Sequence, residues 1–235
     1  MKFVLITLAL LAAINVATCT LTRGSSSSIS ANSRYMQYLR ERSQMERLRS
    51  QFEELCPGKD DELDDALAQL KECADEVDQN TETACSAIKN HFLRCSKPFL
   101  ELLENCVPEK SKEVPKLVFH AVNSGISYLC KTDGEHIFEL ANMCVFKTDY
   151  RMMRCERRIK SKLQQFQKNS PTKTDICEMA NSYKPCLYNH LQSSCGNRIT
   201  REAFTGLFDA MTSPCKTVVN NGFERNDINE VELLE

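Results

Sequence analysis

Apolar residues recur along this chain every three or four positions, the period of helices with one buried face rather than of short strands. Met45, Leu48, Phe52 and Leu55 open the series at spacings of 3, 4 and 3, and Pro57-Gly58 ends that helix. Asp60 to Asp65 puts acids at the start of the next helix, where they complement its dipole. Its apolar face is Leu63, Ala66, Leu70, Cys73 and Val77. Further helices are predicted over about Thr81 to Arg94, Pro98 to Cys106 and Pro115 to Cys130, the last turning Leu117, Val118, Ala121, Val122, Ile126 and Leu129 inward. Thr132-Asp133-Gly134-Glu135 carries the Thr-x-x-Glu pattern of a capping box, opening a helix through Ile137, Phe138, Leu140, Ala141 and Cys144. Met152, Cys155, Ile159, Leu163 and Phe166 mark the next stripe. Ser170-Pro171 reads as an N-cap followed by Pro at the first helical position. That helix carries Cys177, Ala180 and, after a break near Pro185, Leu187 and Leu191. The last helix runs from about Thr200 to Met211 and buries Phe204, Leu207 and Phe208.

The two ends read differently. Lys2 is followed by an almost unbroken apolar run from Phe3 to Val16 and by the small residues Ala17-Thr18-Cys19. Residues 1–19 are therefore expected to be a signal peptide cleaved before Thr20. The run is too short to span a bilayer, and no later stretch is long and apolar enough. Residues 20–34, with Gly24 followed by Ser25 to Ser28, are expected to be flexible. A helical domain is expected over 35–218, and 219–235 is a polar, acidic, loose tail.

Of 13 cysteines, Cys19 falls in the expected leader, which leaves an even set. An even set on an exported chain implies a disulfide framework. Its members are Cys56, Cys73, Cys85, Cys95, Cys106 and Cys130, then Cys144, Cys155, Cys177, Cys186, Cys195 and Cys215. The fold class that follows is all-α: a disulfide-rich helical bundle with two loosely related six-cysteine halves, 45–131 and 132–216. Lys97-Pro98 in one half and Lys184-Pro185 in the other each precede a cysteine-ended helix. The cysteine gaps match only loosely, and helical hairpins of similar length would give similar spacings without duplication. Pairing is open, because twelve thiols allow roughly ten thousand connectivities.

Three segments carry a family likeness: Cys85 to Cys106 (CSAIKNHFLRCSKPFLELLENC), Ile126 to Cys144 (ISYLCKTDGEHIFELANMC) and the Cys-x8-Cys-x8-Cys array within Cys177 to Cys215. Over roughly residues 50 to 216 the chain resembles the insect 27 kDa hemolymph glycoprotein family. The resemblance implies a secreted, all-helical, disulfide-bonded protein of insect body fluid or secretions, with no established enzyme activity. The chain departs from the family name in one respect. It has no Asn-x-Ser/Thr acceptor, since Asn80-Thr81 is followed by Glu82 and Asn169-Ser170 by Pro171.

Composition narrows the chemistry. A net charge of −2 gives no overall pull toward nucleic acid or an anionic membrane. No His-Glu-x-x-His motif, nucleophile elbow or phosphate-cradling glycine loop occurs. Among the histidines His91, His120, His136 and His190, a hydrolase would rest on His136 or His190, with Cys186 four residues before the latter. An oxidised cysteine is neither nucleophile nor good metal ligand. Zinc lacks a Cys-x2-Cys pair, and Asn220 to Glu230 lacks the alternating acids of a calcium loop. No catalytic residue, metal or cofactor is expected.

Two features point to binding. Arg151, Arg154, Arg157, Arg158, Lys160 and Lys162 crowd one amphipathic helix against the single acid Glu156. That face would attract an acidic extracellular protein, an anionic glycan or a lipid surface, or would simply keep the helix solvated. The second feature is an apolar inventory of Leu117, Val118, Phe119, Ile126, Tyr128, Phe138, Phe204, Leu207, Phe208 and Met211. Cross-linked helices can hold an apolar cavity open for a small hydrophobic ligand, or these residues form a filled core. The expectation is a secreted, extracellular, non-enzymatic protein that carries small apolar ligands. The alternative is an interaction, storage or defence-related protein using the basic helix.

Overall fold

A computed structural model describes residues 46, 49–77, 82–147 and 150–216. The expected leader, the Ser-rich segment and the acidic tail lie outside these residues, as do Met45 and Leu48 of the first stripe. The described secondary structure is helical, in nine α-helices and three short 3-10 turns. They fall into two compact units, up to Glu109 and from Lys110.

In the first unit, α1 (49–55) ends at a turn where Gly58 takes φ +72°, a backbone conformation open chiefly to glycine. Its N–H donates to Glu53 Oε1 at 3.2 Å. The helix α2 (Asp60–Asp75) has no side-chain cap, and Asp60, Asp61 and Glu62 in its first turn supply negative charge instead. Leu63, Ala66 and Val77 are buried, as the 3–4 spacing requires. Thr83 caps α3 (Ala84–Cys95) by accepting from the Ser86 N–H, so this helix begins three residues later than predicted. Ser96 alone separates α3 from α4 (Lys97–Cys106), whose Phe99, Leu102 and Leu103 are buried against α2. Cys56–Cys106 and Cys73–Cys95 lock the ends of these helices together.

The second unit holds α5 (Glu113–Lys131), α6 (Gly134–Glu139), α7 (Tyr150–Lys168), α8 (Lys173–Ser194) and α9 (Arg198–Thr212). Helix α9 packs on α5, α6 and α8, and α7 packs on α8. Its core joins Leu187, Leu191 and Cys195 to Val145, Tyr183, Tyr188, Phe204 and Phe208. Below α5, Leu117 meets Cys177 and Cys215. Buried Ser111 donates to the Pro171 carbonyl at 2.7 Å, fixing the strand of chain that enters α8.

Three local expectations are corrected. The cap of α6 is Asp133, whose carboxylate accepts from the His136 N–H at 3.0 Å. Thr132 is occupied in closing α5, its hydroxyl donating to the Tyr128 carbonyl at 2.8 Å. The cap of α8 is Thr172, in a capping box with Asp175, because Pro171 is buried before the helix starts. Finally, α8 runs unbroken through Pro185. A mid-helix proline frees the carbonyl four residues back; here that is Asn181, and both residues are exposed, so water can serve it.

The disulfides show an order that the spacings concealed. Numbering each set of six from its first member, Cys56–Cys106 and Cys144–Cys195 both join first to fifth. Cys73–Cys95 and Cys155–Cys186 both join second to fourth. Cys177–Cys215 joins third to sixth, and Cys85 and Cys130 are disulfide-bonded as well. Two bridges thus recur in the same order in both sets. Helix α5, which its cysteine assigns to the first set, packs with α8 and α9 of the second unit.

Helices α5 and α9 meet at Gly206, where an added Cβ would meet the Tyr128 ring at 2.7 Å. The Tyr128 hydroxyl donates to the Ala203 carbonyl at 3.3 Å, which pins the ring in place. Glycine to alanine inside a helix ordinarily gains about 1 kcal/mol. Overpacking reverses that sign: Gly206→Ala should destabilise by about 1–2 kcal/mol, read as a lower midpoint in thermal denaturation. A raised midpoint would mean that the ring moves aside freely. Titration of the denatured, unreduced protein with a thiol reagent should find none of the twelve cysteines free; several reactive sulfhydryls would contradict the framework.

Candidate interaction surface

Between α6 and α7 the chain is held by its backbone and its sulfur rather than by burial. Helix α6 stops at Glu139, and after three further residues the 3-10 turn Met143–Phe146 starts, capped by Asn142 accepting from the Cys144 N–H at 3.1 Å. Cys144 is bridged to Cys195, and the Val145 carbonyl lies 2.9 Å from His190 Nε2. The Ser194 hydroxyl sits 3.2 Å from Nδ1 of the same ring. With Nε2–H donated to the carbonyl, Nδ1 accepts from the serine. His190 is buried, its Nε2 edge turned to a main-chain oxygen.

This anchoring leaves the flanking apolar side chains outside. Among the described residues, seven large hydrophobics are exposed, and six of them lie between positions 137 and 153. They are Ile137, Phe138 (82% exposed), Met143 (72%), Phe146 (65%), Tyr150 (60%) and Met153. Scattered single exposures need no explanation, but a concentration does. The expectation that Phe138 belongs to the internal apolar inventory is thereby corrected. The helix it was assigned to is only six residues long, and its end turns Phe138 outward.

The basic residues continue this strip. Arg154, Arg157, Arg158, Lys160 and Lys162 are all exposed on α7; the Arg151 side chain is outside what is described. Arg154 stacks over the Tyr150 ring at 5.2 Å and donates to its hydroxyl at 3.2 Å. Arg157 Nε donates to the Met153 carbonyl at 3.4 Å. The opposite face of α7 buries Phe166 and half-buries Met152, Cys155, Ile159 and Leu163. Glu156 is close enough to Tyr183 of α8 to help burial push that phenol's pKa up. Glu156 itself is exposed.

The remaining candidates are held in structural contacts. The Cys186 sulfur is bonded to Cys155. His136 Nδ1 lies 2.8 Å from Asp133, and Nε2 lies 4.0 Å from Glu202 of α9. The hydrogen bond to Asp133, reinforced by nearby carboxylates, holds the His136 pKa above its ordinary 6.5. The same contact holds Asp133 below its usual range. Glu139, also lowered, accepts from buried Thr200, so α6 is tied to α9 at both ends. Leu117 and Phe119 of the apolar inventory are buried, whereas Met211 is exposed. Among the described residues no group of three or more His, Cys, Asp or Glu could hold a metal ion. None of the described helices is long and apolar enough to cross a membrane.

A family model described as a protein of unknown function, DUF1397, matches residues 40–216. The chain belongs to this family. No curated protein matches it, and no solved structure does. The DUF1397 match spans all twelve disulfide-bonded cysteines and the whole exposed strip.

Sequence reading found the basic half of this DUF1397 surface and missed the apolar half. The available signal was a broken period. After Val145, which still continues the stripe through Ile137, Leu140 and Ala141, the next apolar residues, Phe146 and Tyr150, do not.

The His136 contact gives a pH test. A histidine whose pKa is raised on folding adds stability below about 6.5, and that stability is lost as pH rises through the folded-state value. His136→Asn should therefore lower the denaturation midpoint at pH 5 to 6, as rough bounds of that window, and converge with the parent in alkali. Equal effects across the range would remove the ionic role.

Proposed function

We propose that this chain is a secreted, non-enzymatic extracellular protein that acts through an outer contact surface, the strip from Ile137 to Arg158. The observation that carries the reading is the run of exposed Phe138, Met143, Phe146, Tyr150 and Met153 along the chain leading into α7, where Tyr150 and Met153 touch Arg154 and Arg157. Secretion is supported by twelve oxidised cysteines, which persist in oxidising compartments. The likeness to insect 27 kDa hemolymph glycoproteins supports a role in body fluid or a secretion. Absence of enzyme activity is part of the proposal, supported by Cys186 being bridged and His190 facing a carbonyl.

The carrier of small hydrophobic ligands has weaker support. Phe138, counted among its lining residues, points outward, and the Tyr128 ring fills the space beside Gly206. A surface depression on α2 is edged by Lys71, Glu72, Asp75 and Glu76, a charged rim unsuited to an apolar guest. Native mass spectrometry of protein from its own fluid should give the mass of the oxidised chain without a bound apolar compound. A stoichiometric apolar adduct other than an anionic phospholipid would favour the carrier and overturn the surface reading.

A further inference from the structure

We propose that the strip docks on membranes that display anionic phospholipid headgroups. This deepens the contact-surface reading and rests on it. Taking 100° per residue, Tyr150, Met153, Arg154, Arg157 and Arg158 share roughly 140° of the circumference of α7. The opposite arc is packed on α8. Apolar and cationic groups therefore occupy the same outer face instead of opposing ones. Lys147, beside exposed Phe146, adds a further cation at the near end.

Charge complementarity selects the occupant. The chain as a whole is net negative, yet this arc of α7 carries Arg154, Arg157 and Arg158 and no acid, the exposed Glu156 falling outside it at 100° per residue. Asp133 is engaged by His136, and Glu139 by Thr200 and Asn142, which leaves Glu135 as the other exposed acid of α6. A negatively charged surface is the matching partner. Shape selects a bilayer over a folded protein. The exposed apolar side chains come from a short helix, a 3-10 turn and the start of α7. A protein partner would need a pocket for each. A bilayer interface needs none, accepting apolar groups to a depth of about 5–10 Å while arginines stay at the headgroups. Tyr150, with its ring apolar and its hydroxyl held by Arg154, suits that boundary.

The experiment uses the full disulfide-bonded chain and two vesicle preparations, phosphatidylcholine alone and phosphatidylcholine with phosphatidylserine. Flotation should recover the protein with the phosphatidylserine vesicles only, and binding should fall as salt rises. Arg154→Glu, Arg157→Glu and Arg158→Glu together should weaken binding by on the order of 100-fold. Phe138→Ser and Phe146→Ser should each weaken it by about tenfold. Both substitutions are at exposed positions, and unchanged circular dichroism and thermal midpoint will show that the fold is kept. No recovery with either vesicle overturns the membrane proposal. If in that case the protein self-associates and Phe146→Ser abolishes the association, the strip is a contact surface for a second copy. If neither vesicles nor self-association respond to any substitution, the contact-surface reading fails too.

Discussion

Three disulfides anchored along α8 set the arrangement of the second unit. Cys177 and Cys186 lie on that helix and Cys195 directly follows it, each nine residues from the next. Nine residues advance a helix by about 13.5 Å and turn it through half a revolution beyond two full turns. Successive bridges therefore leave α8 on alternate sides. Cys186 reaches α7 on one side, while Cys177 and Cys195 reach the end of the chain's last turn and the 3-10 turn at Cys144 on the other. In the chain-entropy account each loop of this length stabilises by on the order of 4 kcal/mol. That is large beside the net stability of an ordinary domain.

The exposed strip depends on this anchoring. A segment carrying Phe138, Met143, Phe146 and Tyr150 would ordinarily collapse onto the nearest apolar surface, since each buried aromatic gains about 1.5–3 kcal/mol. Here the Cys144–Cys195 bridge and the Val145–His190 contact hold the middle of the segment against α8. The Glu139–Thr200 bond holds its start against α9. Met143 lies between these fixed points, and Phe138 and Phe146 flank them directly. Covalent bracing thus keeps apolar groups in water that hydrophobic collapse alone would hide.

Much of this was readable from residue pattern. The stripes Leu63–Ala66–Leu70 and Met152–Cys155–Ile159 state their helices directly, and Pro57-Gly58 states the end of α1. The failures have local causes. Thr132 and Asp133 compete for one cap, and only the closing turn of α5 decides that threonine is taken. Pro185 reads as a break because sequence does not reveal that the freed Asn181 carbonyl faces solvent. Phe138 reads as core because periodicity cannot tell a six-residue helix from a longer one. Disulfide order is invisible to spacing, since bridges close through space. The basic half of the surface was legible because charge needs no partner to be noticed. The apolar half needed knowledge of what failed to be covered.

The second-to-fourth bridge lies inside the span of the first-to-fifth bridge in each set of cysteines. Nesting has a consequence in fluids rich in proteases. Severing any one peptide bond from Cys144 to Cys195 liberates no fragment, because the flanking halves stay covalently joined; the same holds from Cys56 to Cys106. A clipped molecule keeps its parts together and its outer face in position, so its working lifetime outlasts the integrity of its backbone.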